Sequence, residues 1–260
     1  MLAFGLFPLV RLTTRNLRER EERAQYLVHL AFRFHVRLMR AMSVCTVNVR
    51  GAERLREPGG QLIVANHPTL IDVVLLGSLM PQLDCLVKIG AWRNPFMRGV
   101  VNAAGYVPND LGEAVVEACA ARLREGRSLL LFPEGTRSLK GGELGAFQRG
   151  AAHVALQSGR PLRPLVIHCH PRFLTRGQHW YDVADRPMRF TIEVGEPIDP
   201  RKWTSEDDSR GVASRKLTAA LRDFYEARLY PAAGRGVGDA FQGRDLQMGH
   251  RPDEEGIPIP

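Results

Sequence analysis

Two short stretches of the chain carry residue types able to move a proton and to grip an anion. The first is Asn66-His67-Pro68-Thr69-Leu70-Ile71-Asp72, which follows an apolar run at residues 62–65. An imidazole can take a proton from a hydroxyl near neutral pH. A carboxylate five residues on can fix its tautomer if the chain turns back on itself. The spacing places Pro68 in the first turn of a helix, with Asn66 or His67 at its N-cap. Asp72 then lies about one and a half turns in. A lone His-x-x-x-x-Asp is more often a cap and a solvated carboxylate, so the pattern needs a companion. The second stretch supplies one: Leu129-Leu130-Leu131-Phe132 empties into Pro133-Glu134-Gly135-Thr136-Arg137-Ser138. Gly135 permits close backbone approach, and Arg137 can hold a phosphate through two parallel bonds. Glu134 is expected either to steady Arg137 or to touch an acceptor hydroxyl.

Positioning both stretches requires strands that end side by side. Strand patterns fall at residues 46–49, 62–65, 83–87, 129–132, 165–168 and 189–194. Helical patterns fall at 71–79, 113–123, 147–157 and 211–230. Strands alternating with helices predict one α/β domain over residues 45–230. Open α/β sheets bind ligands beyond the carboxyl ends of their strands, which is where both motifs sit. Ahead of this domain, residues 11–44 read as an amphipathic helix. Leu27, Leu30, Phe34 and Leu38 recur at helical spacing, and Arg33, Arg37 and Arg40 line another face. Residues 1–50 hold nine Arg, no Lys and three Glu, a net +6 of the chain's +8. Such a helix suits an anionic membrane interface, or else covers the core with a solvated basic face. Residues 231–260 are rich in Gly, Pro and charge and predict a flexible tail.

The remaining composition narrows the classes. At 260 residues the chain suits one sizeable core. The four cysteines are widely spaced, which argues against a disulfide framework or a zinc site and for a reducing cytosol. No apolar run reaches the length of a membrane span; residues 1–10 are too short and lack signal-peptide flanks, but would fit the end of a longer anchor. His168-Cys169-His170 puts two imidazoles on one strand face, too few for a metal site. Neither metal nor cofactor is expected, and no nucleic-acid motif accompanies the basic charge.

Taken together, the Asn66–Asp72 stretch and the Phe132–Ser138 stretch resemble the glycerolipid acyltransferase family that includes lysophosphatidic acid acyltransferases. The resemblance covers roughly residues 45–200. It implies a glycerol-3-phosphate acyltransferase-like α/β domain with an N-terminal amphipathic helical segment. It also implies a lyso-lipid O-acyltransferase that moves a fatty acyl group from acyl-ACP or acyl-CoA to 1-acylglycerol-3-phosphate or a related acceptor. Such an enzyme would work peripherally or monotopically at the cytoplasmic face of a membrane. By that resemblance His67 is the base, Asp72 orients it, and Glu134, Gly135, Thr136 and Arg137 bind the acceptor phosphate. Lys88 resembles a family lysine beside the site, and Pro164-Leu165-Val166 fits the family's last apolar block. No G-x-S-x-G elbow occurs, so direct attack by the alcohol on the thioester is expected rather than an acyl-serine.

One departure concerns the acceptor. The family usually has an arginine five or six residues after a glycine between the two motifs, whereas this chain runs from Gly105 to Asn109 and Asp110 without one. Asn109 or Asp110 would favour hydroxyl-bearing head groups over a phosphate. Two alternatives follow: an acceptor without phosphate, such as a glycolipid or amino-acid lyso-lipid, and a non-catalytic membrane-surface lipid-binding protein.

Overall fold

The computed structural model describes residues 13–109, 112–138, 143–178, 184–205 and 207–231, with Phe7, Val10, Asp182 and Ile257–Pro258. Its sheet begins with β1 (Cys45–Arg50), where Cys45, Val47 and Val49 turn inward and the residues between them turn out. The next strand, β2 (Leu62–Ala65), is buried at every position. It lies between β5 (Leu129–Leu131) and β6 (Leu162–His170), parallel to both. A parallel strand covered on both faces has no use for alternation, which explains the unbroken apolar sequence. Further strands are β3 (Asp84–Val87), β4 (Val107–Pro108), β7 (Met188–Val194) and the short β8 (Ile257–Pro258). The order across the sheet is β4-β3-β5-β2-β6-β7-β1-β8. The β6–β7 pair is antiparallel, as is β1–β8.

Helices cover both faces. One face carries α1 (Leu17–Ala41) and α2 (Asp72–Gly77) over a core that includes Ile63, Leu75, Ile167 and Phe190. The other carries α5 (Glu113–Arg124), α6 (Gly150–Ser158) and α7 (Arg210–Leu229) over Leu62, Leu129, Val154 and Leu217. Between β3 and β4 lie α3 (Gly90–Arg93) and α4 (Pro95–Ala103). From α7 the fully buried Tyr225 donates its hydroxyl to the Val64 carbonyl at 2.6 Å, tying that helix to the central strand.

α1 starts at Asn16, whose side chain accepts the Arg18 and Glu19 N–H groups. It is seated by Ala24, Val28 and Val36, and by a buried ion network. Asp84, only 1% exposed, accepts two 2.7 Å bonds from Arg127, one from Arg122 at 2.9 Å and one from Gln25 of α1 at 2.8 Å. Arg127 also reaches Glu21 of α1 at 2.7 Å. Charges survive burial only when partnered in this way. Gly105 fits because its φ is +65° and any Cβ there would stand 2.3 Å from the Glu21 Oε1.

Several expectations shift. The N-terminal helix falls inside the expected 11–44, and of its stripe of Leu27, Leu30, Phe34 and Leu38 only Leu27 packs inward. Leu30, Phe34 and Leu38 are exposed, and the buried side uses smaller residues such as Ala24, Val28 and Val36. The third helix starts at Gly150 rather than 147, and β6 is longer at both ends than 165–168. Pro164, interior to β6, keeps its carbonyl in use by accepting the Gly195 N–H at 2.9 Å, and a side chain at Gly195 would meet the proline ring at 2.9 Å. α3, α4 and β4 were not foreseen; they are short and interrupted by Gly90, Asn94 and Pro95, which blurs any period. The expected tail lies outside the described residues except for Pro231 and for Ile257–Pro258, which pair with β1.

Candidate active site

At the carboxyl end of β2 the chain leaves the sheet through Asn66, which is buried because its amide replaces the missing ladder. Its Nδ2 donates to the Ile167 carbonyl at 2.9 Å, and its Oδ1 accepts the Ile167 N–H at 2.7 Å. His67 follows, and its Nδ1 lies 2.8 Å from the Asp72 Oδ2. The local geometry differs from the expected helix N-cap. α2 begins only at Asp72, with Ile71 as its cap, and residues 67–71 form a turn that doubles back. Asp72 holds this turn itself: its carboxylate accepts the Thr69 N–H at 2.7 Å and the Thr69 hydroxyl. Burial pushes the Asp72 carboxyl up from the usual carboxylate range, while the bonds from His67 and Thr69 pull the other way. With Nδ1 directed at Asp72, Nε2 is the ring atom left to accept a proton. The imidazole stacks on Phe132, with ring centroids 4.1 Å apart and planes 21° apart, and stays 16% exposed.

The second stretch wraps under this turn. Gly135 has a φ of +64° and donates to the Phe132 carbonyl at 3.0 Å, closing the bend beyond β5. Ser138 returns its N–H to the His67 carbonyl at 2.8 Å. Glu134, expected at Arg137 or at an acceptor, has other partners. It is 5% exposed and accepts the His67 N–H at 2.9 Å, the Ser138 hydroxyl at 3.0 Å and the Gly145 N–H at 2.9 Å. A carboxylate bound to two backbone N–H groups and a hydroxyl is committed to holding loops together. Arg137 is seated by bonds from Nη1 to the Leu174 and Thr175 carbonyls, both at 3.0 Å.

Between the sheet and α1 runs a cleft of about 1180 Å³. Its mouth gathers His67, Lys88, Asn109, Gly135, Thr136 and Arg137. Its depth is apolar, with Phe32 and Met39 from α1 above and Val101, Tyr106 and Leu130 below. Six of the eight expected site residues therefore meet at one opening, and Asp72 and Glu134 stand behind it. Sequence reasoning missed Asn66, Thr69, Phe132 and Ser138. All four lie within the two stretches, but only their tertiary partners give them a task. His168 and His170 share a side of β6, yet among the described residues no group of three His, Cys, Asp or Glu side chains could hold a metal.

Residues 46–168 match the family model described as Acyltransferase. The chain is 32% identical over 127 residues to the chloroplastic 1-acyl-sn-glycerol-3-phosphate acyltransferase LPAT1 of Arabidopsis thaliana. That match spans 46% of this chain and 35% of the plant protein, about a third of the relative's length. Against the human 1-acyl-sn-glycerol-3-phosphate acyltransferase alpha it is 26% identical over 245 residues, covering 92% of this chain and 80% of the other. The crystal structure of the 1-acyl-sn-glycerophosphate acyltransferase PlsC from Thermotoga maritima shares the fold with a TM-score of 0.66. Identity there is 19%, over 89% of each chain. The chain is thus similar to a glycerolipid acyltransferase over most of its length.

Proposed function

We propose that this protein transfers a fatty acyl group from acyl-ACP or acyl-CoA to the free hydroxyl of a lyso-lipid, 1-acylglycerol-3-phosphate or a close relative. The observation that carries this reading is the His67–Asp72 pair at the polar mouth of a large apolar cleft. The cleft suits an acyl chain, and the mouth suits a polar head group. In the proposed reaction the acceptor hydroxyl gives its proton to His67 Nε2 as its oxygen attacks the thioester carbonyl. The tetrahedral intermediate then collapses, the C–S bond breaks, and the thiolate leaves and is protonated. Asp72 keeps Nδ1–H oriented and favours the imidazolium that forms. Lys88 and Arg137 lie where they can meet an anionic head group. Asn109 stands at the same opening, so acceptors with hydroxyl-bearing head groups belong in any test.

The same reading places the protein on the cytoplasmic face of a membrane. Leu30, Phe34, Leu38 and Met42 stand exposed at every fourth position of α1 and just beyond it, with Phe34 69% exposed. Met42, Leu70 and Met97 are also exposed and line the cleft, so the apolar strip runs into its opening. Arg33 and Arg37 flank the strip, which suits an anionic interface. Among the described residues no helix is long and apolar enough to cross a membrane. The direct test is purified protein with labelled acyl-ACP and acyl-CoA and a panel of lyso-lipids, run beside His67→Ala. Loss of a general base lowers turnover by about 10² to 10⁴. A variant that folds and keeps most of the wild-type rate removes His67 from the mechanism.

A further inference from the structure

A second concavity lies behind the His67 turn and takes no part in the chemistry above. In the antiparallel β6–β7 pair, His168 stands opposite Thr191 and His170 opposite Arg189. Side chains alternate along a strand, so these four share the face opposite the core residues Ile167, Cys169, Phe190 and Ile192. There they line a hollow of about 460 Å³ together with Arg172 and Tyr230. Its inner wall is Asn66, Pro68 and Ser138, the reverse side of the turn that presents His67. Among the described residues its lining contains no carboxylate.

This hollow connects to the cleft. An intervening hollow of about 810 Å³ shares His170, Arg172 and Arg189 with it. On its other side that hollow shares Phe173, Arg186 and Pro187 with the apolar cleft. The three form one path around the β6–β7 end of the sheet. It is apolar at the cleft and becomes basic beyond it, where Arg172 and Arg189 line the intervening hollow and the far one alike. Among the described residues, Arg172, Arg186 and Arg189 line the intervening hollow together with one carboxylate, Asp185.

We propose that this path holds the pantetheine arm of the acyl donor and that the basic hollow binds the phosphate ester at the arm's end. The inference rests on the thioester donor of the proposed function. Such a donor is an apolar chain, then a thioester, then a neutral amide-bearing arm, then a phosphate, and the path presents matching surroundings in that order. Guanidinium groups recognise phosphate oxygens bidentately, and a hollow in which arginines outnumber carboxylates favours an anion. The same phosphate ester occurs on coenzyme A and on the prosthetic group of a carrier protein.

The test is titration calorimetry on full-length His67→Ala protein with coenzyme A, 4′-phosphopantetheine and pantetheine, which reads binding without turnover. The two phosphorylated ligands should bind at least tenfold more tightly than pantetheine. Arg189→Gln should weaken them by about tenfold or more, the loss expected for one charge-assisted bond, and leave pantetheine unchanged. Placed in the enzyme with His67 intact, Arg189→Gln should raise KM for acyl-CoA and for acyl-ACP alike, without raising KM for the lyso-lipid. Because Arg172 and Arg189 are both exposed, the double variant to Gln should fold and show the larger loss. Phosphate-independent binding, or affinities unchanged in the double variant, would overturn the proposal. So would a rise confined to the lyso-lipid KM, which assigns the phosphate to the acceptor, or one confined to acyl-CoA, which assigns the hollow to the nucleotide. Phosphate-dependent binding in a protein that makes no product with any donor supports this site and sinks the catalytic reading alone.

Discussion

Replacing Glu134 separates a loop anchor from an acceptor ligand. Its carboxylate accepts the His67 N–H at 2.9 Å, the Gly145 N–H at 2.9 Å and the Ser138 hydroxyl at 3.0 Å, in a position only 5% exposed. Glu134→Ala strands two backbone donors with no carboxylate to receive them. At about 1 to 3 kcal/mol for each unsatisfied buried group, the cost is roughly 2 to 6 kcal/mol. For a domain of this size one kcal/mol shifts the melting temperature by about 2 to 4 °C. A fall of roughly 5 to 20 °C should follow. Glu134→Gln is the sharper probe, because it keeps shape but presents an NH₂ where one of these donors points. It should fold with a smaller loss of stability and a lowered kcat, since the His67 backbone is displaced, while the acceptor KM changes little. Calorimetric melting and steady-state kinetics on both variants check this. An unchanged melting temperature with only the acceptor KM raised would show that Glu134 touches the lipid, and the loop-anchor argument would fail.

Other perturbations bear on separate parts of the molecule. Burial raises the Asp72 pKa, so the folded chain keeps that proton to higher pH than the unfolded chain does. The associated stability is full below the unfolded value and is lost as pH rises through the folded one. As pH rises from about 4, melting should therefore fall less steeply in Asp72→Asn than in wild type; equal slopes would refute the shift. Arg127→Met leaves Asp84 and Glu21 short of their shared partner and should cost about 3 to 5 kcal/mol, with faster amide exchange along α1. Unchanged exchange in residues 17–41 would show that the network does not hold that helix. Finally, Phe34→Glu should release the protein from anionic vesicles, and high salt should weaken wild-type binding. Binding indifferent to both would remove α1 from the membrane contact.

Much of the site is legible in the sequence, for a local reason. His67 and Asp72 are five residues apart, and Glu134 to Arg137 form one turn, so their types and spacing lie within a single reading window. β2 was read to its ends because a strand covered on both faces is apolar throughout, and Asn66 and Gly60 bracket it. What stayed hidden depends on partners far along the chain. Glu134 was assigned to the acceptor because nothing local announces that Gly145 and the His67 backbone would claim it. The exposed leucine stripe of α1 was read as a face, but the seated face is made of small and polar residues. Gln25 is recognisable as buried, and Glu21 as half-buried, only once Asp84 and Arg127, 59 residues or more away, are known to meet them. The cleft itself lies between elements, so no single segment encodes it.

The ion network beneath α1 has a thermal consequence. Hydration of charged groups grows less favourable as temperature rises, so the cost of keeping Asp84 and its arginines dry falls on heating. Hydrophobic stabilisation gains no comparable advantage. The attachment of α1 at Gln25 and Glu21 therefore strengthens relative to the apolar contacts elsewhere as the protein warms. The helix that roofs the cleft should remain seated while less charged regions, such as the β1–β8 edge, begin to fray. Heat would then act on this protein from the sheet margin inward, with the cavity among the last features to open.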